Sequence, residues 1–566
     1  MDARVMEGAW RNLPHMMMDL ARAWRDRPML RHWRGGQWQR TSWGEFASRV
    51  AAVATGLRAA GVMPGDRVVL VSENRPEFPI ADTAIMAIGA VTVPTYTTNT
   101  VADHAHILRD SGARVAIVSS AVLAARVRQA AQQGQGLDLL VGMEASPEVN
   151  LTWDSLEAAS PDMGLLLAEV EQIPPGRLAC LVYTSGTGGA PKGVMQPHRA
   201  LLANRHGIAK IADRLHLEGE CYLSFLPLSH SYEHTVGCFL LPSLGLEVVY
   251  SRGAERLSAE FQEIKPAIIT AVPRLFEVLR ARIEAGLEKE SPLKRKLFAR
   301  ALALGLKRLE HTNLSPFERV QDAVLDRLVR RKVRDRFGGR LVALVSGGAR
   351  LDPDLSGFFL ALGVPVIQGY GQTEAGPVIS VNTPWANRRE TVGRPLPGVE
   401  ARIAGDGELL VRGELVMDGY WNNVVATGQA IQDGWLHTGD VGEISADGYI
   451  RITDRKRDFI KTLGGDMVSP AKLEGLLMSE PGIAQAVVAG EGKPSIVALV
   501  VPADGQADAV AAAVDRVNRK LSNIERIRRV AQVPPFTVEN GMLTPTMKVK
   551  RREVLRIHGA EVDRLY

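Results

Sequence analysis

The chain has few cysteines and no long apolar run, and each shortage excludes a class of protein. Its three cysteines, Cys180, Cys221 and Cys238, are an odd number at spacings that match neither a zinc knuckle nor a redox pair. No disulfide framework is expected, and a reducing cytoplasm fits best. The most apolar stretch, Val236 to Tyr250, is interrupted by Pro242, Gly245 and Glu247, so it reads as a buried hairpin or helix-strand segment and not as a membrane span. The N-terminus carries Asp2 and Glu7 near a short run from Met16 to Met18. It has neither the basic start nor the apolar stretch of a signal peptide. No internal repeat or low-complexity tract is present. A formal net charge of +5 is too small to argue for a nucleic-acid partner.

What is present is enough apolar residue, 46% of 566, to build substantial cores in more than one domain. Runs such as Asp66 to Ser72, Val115 to Ser119, Leu178 to Tyr183, Ala267 to Ala271, Leu341 to Ser346 and Val364 to Gln368 predict strands. Trp43 to Ala60 and Arg274 to Gly286 predict helices between them. The alternation implies a large α/β domain with a mostly parallel sheet. From about Thr391 the pattern changes to short alternating strands, as in GELLVRG at Gly407 to Gly413, which predicts a β-rich subdomain. The charged stretch Asp454 to Asp458 follows, and the hundred or so residues after it suffice for a small α+β domain. Between Arg282 and Arg340 basic residues outnumber acids about two to one at helical spacing. A solvated helix face and a surface that docks on anionic lipid headgroups both fit this bias.

The most informative segment is YTSGTGGAPKG, Tyr183 to Gly193. Gly186, Gly188 and Gly189 allow close backbone approach to anionic oxygens, Thr184, Ser185 and Thr187 offer hydroxyl donors, and Lys192 supplies charge. It is not a Walker loop, because Pro191 precedes Lys192 and Gly193 follows it, leaving no hydroxyl in the magnesium place. Nor does the glycine spacing give a dinucleotide fingerprint. The segment resembles the phosphate loop of adenylate-forming enzymes, the AMP-binding superfamily that activates carboxylic acids as acyl-AMP. Gly188 stands where that family usually has a second threonine.

Five further segments resemble the same family. In IQGYGQTEAG, Ile367 to Gly376, the resemblance implies that Tyr370 stacks on adenine, that Thr373 meets the α-phosphate and that Glu374 shares magnesium with Thr184. SGGAR, Ser346 to Arg350, resembles the adenine-binding edge. DGWLHTGDVGEISADGYIRITDRKR, Asp433 to Arg457, makes Asp440 the ribose-binding carboxylate and Arg455 a ribose or phosphate contact, with Arg457 at the pivot in place of the usual Lys or Asp. In LTPTMKVKRREV, Leu543 to Val554, Lys548 is implied to bridge the carboxylate and the α-phosphate. SFLPLSHSYEHTVG, Ser224 to Gly237, brings His230 near the α-phosphate and the acyl pocket, with His234 replacing an arginine common in long-chain members.

The resemblance therefore implies four catalytic residues, Lys548, His230, Thr184 and Glu374, with Thr184 and Glu374 also holding the metal. It implies nucleotide contacts from Ser185, Gly186, Thr187, Gly188, Gly189 and Lys192, from Gly347, Gly348 and Ala349, from Gln368, Gly369, Tyr370, Gly371 and Thr373, and from Asp440, Ile452 and Arg455. A coenzyme A channel is implied at Lys461, Gly464 and Gly465. The implied fold is acyl-CoA synthetase/luciferase-like: a large α/β domain over 1–454, a hinge over 455–457 and a small mobile α+β domain over 458–566.

The implied activity is ATP-dependent ligation of a medium to long fatty acid to coenzyme A, using ATP, magnesium and coenzyme A. Such an enzyme would lie in the cytoplasm or at the inner face of the membrane, as a monomer or a homodimer. Two rivals stay open on the sequence. One is an aryl-CoA ligase or an acyl-AMP ligase serving a carrier protein, and the other is a non-catalytic, membrane-docked lipid-binding protein.

Overall fold

The computed structural model describes residues 9–134, 136–184, 190–310, 313–456, 460–464, 466–503, 505–544 and 549–566. Two large sheets dominate. One has nine strands, ordered in space as Arg394–Pro395, Val378–Val381, Val366–Gly371, Ala343–Ser346, Ile268–Ala271, Cys221–Ser224, Glu247–Tyr250, Pro28–Arg34 and Gln37–Ser42. The other has eight, ordered Gly419–Tyr420, Lys192–Pro197, Leu178–Thr184, Val91–Thr95, Arg67–Val71, Val115–Val118, Leu139–Gly142 and Leu151–Thr152. Their central strands run parallel, and sequences such as IITA, VAIV and VTVPT are buried along their whole length. That is what a strand covered on both faces requires.

The strands alternate their side chains between layers. Tyr222, Val248, Val68, Leu70 and Val182 share one core with helices Leu13–Ala23, Trp43–Ala59 and Glu77–Ala87, so these helices are packed between the two sheets. The opposite faces carry separate cores, one around Leu223, Ile269 and Leu344 and one around Val69, Ala116 and Val118. Glu77–Ala87 is buried at every position, which its mostly apolar sequence allows. Trp43–Ala59 starts where predicted because Ser42 and Glu45 form a reciprocal capping box. The Val236 to Tyr250 stretch is a helix-strand segment, made of a π-helical turn His234–Leu240, a short helix Leu241–Ser243 and the strand Glu247–Tyr250.

A smaller antiparallel sheet follows, built on Glu400–Ile403, Glu408–Arg412, Trp435–Ile444 and Ile450–Arg455. It is the β-rich region predicted from the alternating pattern. The last hundred residues form a three-stranded sheet, Ile483–Ala489, Ile496–Pro502 and Ile527–Gln532, with helices Pro470–Met478 and Val510–Asn518 closing its core.

The basic stretch folds as a helical excursion between the adjacent strands Ile268–Ala271 and Ala343–Ser346. Three of its helices, Pro273–Glu288, Pro292–Leu309 and Pro316–Leu325, each begin with proline, which fits the first turn because the missing N–H is unused there. Most of its cations are exposed. Arg330 departs from the expected solvated face: it is fully buried and donates to the Ala361 and Ala301 carbonyls, at 2.8 and 2.7 Å, and to the Asp322 carboxylate at 2.5 Å. It ties its own helix to two others, Pro292–Leu309 and Pro353–Ala361.

Candidate active site

The carboxyl ends of both large sheets open into one space of about 2550 Å³, which the C-terminal region also borders through Glu474, Gln485, Arg551 and Tyr566. Thr184 ends its strand there, and Gly347 follows the strand Ala343–Ser346. Gly369, Tyr370 and Gly371 end the strand Val366–Gly371, which leads into the short turn Thr373–Ala375. A strand's carboxyl edge frees successive backbone groups and side chains to face one space, which is why α/β proteins place ligand sites there. Gly371 admits no other residue, since a Cβ would lie 1.8 Å from the Pro377 carbonyl oxygen.

Thr184, Lys192, His230, Gly347, Gly348, Ala349, Gly369, Tyr370, Gly371, Thr373, Glu374 and Arg455 all line this cavity. Thr184 pairs with Lys192 across the hairpin that carries the glycine-rich loop. Lys192 Nζ lies 4.8 Å above the Tyr420 ring, and the Tyr420 hydroxyl donates to Glu374 Oε1 at 2.8 Å. Ser231 Oγ and Thr373 Oγ1 are 2.8 Å apart, and Gln196 Nε2 donates to the Thr373 carbonyl. His230 accepts the Tyr232 N–H at 3.1 Å, which fixes its ring.

Asp440 is buried just behind the cavity lining, and its two oxygens accept from the Tyr370 hydroxyl at 2.6 Å and Arg455 Nε at 3.0 Å. Burial and that neighbouring carboxylate hold the Tyr370 phenol well above its ordinary range. Beside this trio, burial raises the Glu408 carboxyl. Hydrogen bonds from His437, Lys456 and the Gly439 N–H outweigh the burial and hold it below its ordinary value.

Other predicted residues sit elsewhere. Gln368 is buried and donates to the Arg389 carbonyl at 2.8 Å, and Ile452 packs in the core of the β-rich region. Neither lines the cavity. Lys461 is exposed, its backbone N–H donating to Glu491 Oε2 at 2.9 Å, and Gly464 is exposed beyond it. Ser185, Gly186, Thr187, Gly188, Gly189, Arg457, Gly465 and Lys548 lie outside the described residues.

The cavity runs on into an apolar end. Ile208, Ile211 and Ala212 of helix His198–Ala212 face Val236, Leu240, Leu241 and Leu244 there. Two buried acids stand behind this wall. Glu233 receives the Tyr222 and Ser224 hydroxyls at 2.5 Å and the Thr270 hydroxyl at 2.9 Å. Full burial outweighs those three donors and pushes its carboxyl up to about 7. Gly237 lies against it, where a Cβ would come within 2.7 Å of Glu233 Oε1. His234 meets its partner in the same core: its Nε2 is 2.8 Å from Asp82 Oδ2, and both side chains are buried.

Sequence motifs did not point to Tyr420, Gln196, Glu408 or Asp82. Tyr420 reaches Glu374 because its two-residue strand pairs with Val194, and Asp82 reaches His234 from a separate helix. Lys456 alone had a signal, lying inside the DRKR run.

A family model described as AMP-binding enzyme matches residues 19–421, and one described as AMP-binding enzyme C-terminal domain matches residues 457–566. The chain belongs to the AMP-binding enzyme family. It is 35% identical over 561 residues to the long-chain-fatty-acid--CoA ligase FadD15 of Mycobacterium tuberculosis, covering 94% of this chain and 93% of that protein. It is 28% identical to the peroxisomal long chain acyl-CoA synthetase 7 of Arabidopsis thaliana, over 94% of this chain and 82% of that one. Among solved structures, the anthranilate CoA ligase AuaEII in complex with anthranoyl-AMP superposes with a TM-score of 0.75 at 22% identity, covering 97% and 98% of the two chains. That likeness carries the adenylate-forming fold, a large α/β domain with a smaller C-terminal one.

Proposed function

We propose that this protein is an ATP-dependent fatty acid–CoA ligase acting on medium to long chains. The observation that carries the reading is the continuity of one cavity from a wall of phosphate-type donors to an apolar end. Such a cavity suits a molecule with a carboxylate at one end and a hydrocarbon chain at the other. Relatives named as long-chain acyl ligases, matched along nearly the whole chain, support the substrate class.

In this reading an oxygen of the fatty carboxylate attacks the α-phosphorus, the bond to pyrophosphate breaks, and acyl-AMP results. The coenzyme A thiolate then attacks the acyl carbonyl and AMP leaves. Lys192 and the glycine-rich loop hold phosphate oxygens, Lys548 neutralises charge as it develops, and His230 positions the carboxylate. Asp440, bonded to Tyr370 and Arg455, is an acceptor for ribose hydroxyls, and Tyr370 offers its ring face to the base.

Thr184 and Glu374 supply hard oxygen donors at the cavity wall, which suit magnesium. Thr184 and Glu374 would hold the ion beside the phosphates. When bound, it neutralises phosphate charge. Rotation of the small domain about Arg457 would withdraw Lys548 and bring Lys461, Gly464 and Gly465 to the thiol path.

The test is purified protein with ATP, magnesium and acids from acetate through palmitate to coumarate, following pyrophosphate and CoA thioester separately. Both products with fatty acids are expected. Pyrophosphate without thioester would make it a ligase for a carrier protein, both products with coumarate alone would make it an aryl-CoA ligase, and neither product would end the enzymatic reading.

A further inference from the structure

The helical excursion presents one face that nothing else in the described chain covers. Helix Pro316–Leu325 continues through the π-helical turn Asp326–Arg330 into Arg331–Arg336. One side of this helix is satisfied inside the protein, where Leu325 and Val329 pack with Ala301 and Leu304. On the outside, Phe317, Val320, Val324 and Leu328 follow at steps of three, four and four, which aligns them on one face. They are 76%, 67%, 51% and 48% exposed. Single exposed apolar side chains are ordinary, but four in a row along about 17 Å of helix form a patch.

Charge indicates the partner. Arg327 and Arg331 stand three residues beyond Val324 and Leu328, so they border the row. Both are exposed and, like Arg319 and Lys332, make no ion pair among the described residues. The carboxylates within residues 316–332 are already used: Glu318 holds Lys307, Asp322 holds Arg330 and Arg308, and Asp326 holds Arg334. Apolar groups with uncompensated cations beside them suit a helix lying in the surface of an anionic bilayer. A second copy seated on the same face would bring like charges together. The excursion is joined to the cavity wall, because its first helix begins at Pro273 and contributes Arg274 and Glu277 to the lining.

We propose that residues 316–332 dock this protein on anionic lipid, with Phe317, Val320, Val324 and Leu328 inserted at the level of the upper acyl chains and Arg327 and Arg331 at the lipid phosphates. The experiment is co-sedimentation of the full chain with vesicles of phosphatidylcholine containing phosphatidylglycerol, and with vesicles of phosphatidylcholine alone. Binding to the anionic vesicles that weakens with salt is expected. The pair Val320→Glu and Val324→Glu, and separately the pair Arg327→Glu and Arg331→Glu, should each lower it roughly ten-fold. Both variants should keep the thermal unfolding midpoint and the pyrophosphate release seen with a soluble acid such as octanoate. Wild-type vesicle binding by both variants would overturn the proposal, as would equal binding to neutral vesicles. So would sedimentation velocity showing a dimer that Val320→Glu and Val324→Glu convert to monomer, since a second copy would then cover the row. Vesicle binding is read without turnover, so its failure is distinct from failure of the ligase reading.

Discussion

The two ends of the cavity are built in opposite ways. At the polar end the functional groups face the space and bind one another through short local contacts: Tyr420 to Glu374, Ser231 to Thr373, and Tyr370 and Arg455 to Asp440. At the apolar end the wall is aliphatic and its polar groups are hidden one layer back, Glu233 among three hydroxyls and His234 against Asp82. Polar groups at the first end are preorganised for a charged ligand, where fixed donors act without reorganisation. Those behind the second shape the wall while leaving its surface apolar, because an exposed carboxylate there would disfavour a hydrocarbon chain.

The contrast fails first if the charge chemistry does not reside at the polar end. Lys548→Ala should lower adenylate formation roughly 100- to 1000-fold, the scale of losing one charge-stabilising group. Thioester formation from supplied acyl-AMP should stay within a few-fold, as single-turnover assays of the two half-reactions would reveal. Equal loss of both would remove the division of labour between them.

Behind the apolar wall the expected signature is in stability. The Glu233 carboxyl is raised to about 7, so the fold favours its protonated form. The stability it contributes is complete below the ordinary carboxylate range and is lost as pH rises through about 7. Wild-type protein should lose about 3 kcal/mol from this group between about pH 4 and pH 8, and Glu233→Gln should lack that component. Urea midpoints across this range compare the two, and parallel profiles would assign the pH dependence to another group.

Asp440→Ala tests the polar end more gently. Removing an ionised acceptor should weaken ATP binding by about 2 kcal/mol, measured by isothermal titration. Unchanged affinity would mean that Asp440 serves only to hold Tyr370 and Arg455. The smallest effect belongs to the aliphatic surface. Ile208→Trp should lower kcat/KM for palmitate about ten-fold relative to octanoate, since Ile208 lines the apolar end. An equal effect on both acids would put the chain elsewhere.

The polar end was largely legible in the sequence, because phosphate chemistry needs particular residue types in short order. Glycines admit close backbone approach, and hydroxyls and a lysine follow within one loop. Thr184, Lys192, Gly347, Tyr370, Thr373, Glu374 and Arg455 all reach the same cavity. Gln368 illustrates the limit of that reading, since it lies within a motif yet turns to Arg389. The basic run was legible as charge only: its composition did not distinguish Arg330, buried between helices, from Arg327 and Arg331 on the surface.

By itself the sequence determined the αβ alternation, the capped helix at Trp43, the change to β-rich structure after Thr391 and the order of the phosphate and nucleotide motifs. These depend on periodicity and on contacts within a few residues, which local side-chain chemistry dictates. Tertiary structure alone decided that Tyr420 meets Glu374, that Asp82 meets His234, that Ile208 and Leu240 line the same apolar end, and that Phe317, Val320, Val324 and Leu328 remain uncovered. Those outcomes depend on how distant segments pack, and the energy of burying each surface is set by the partner brought against it rather than by its neighbours along the chain.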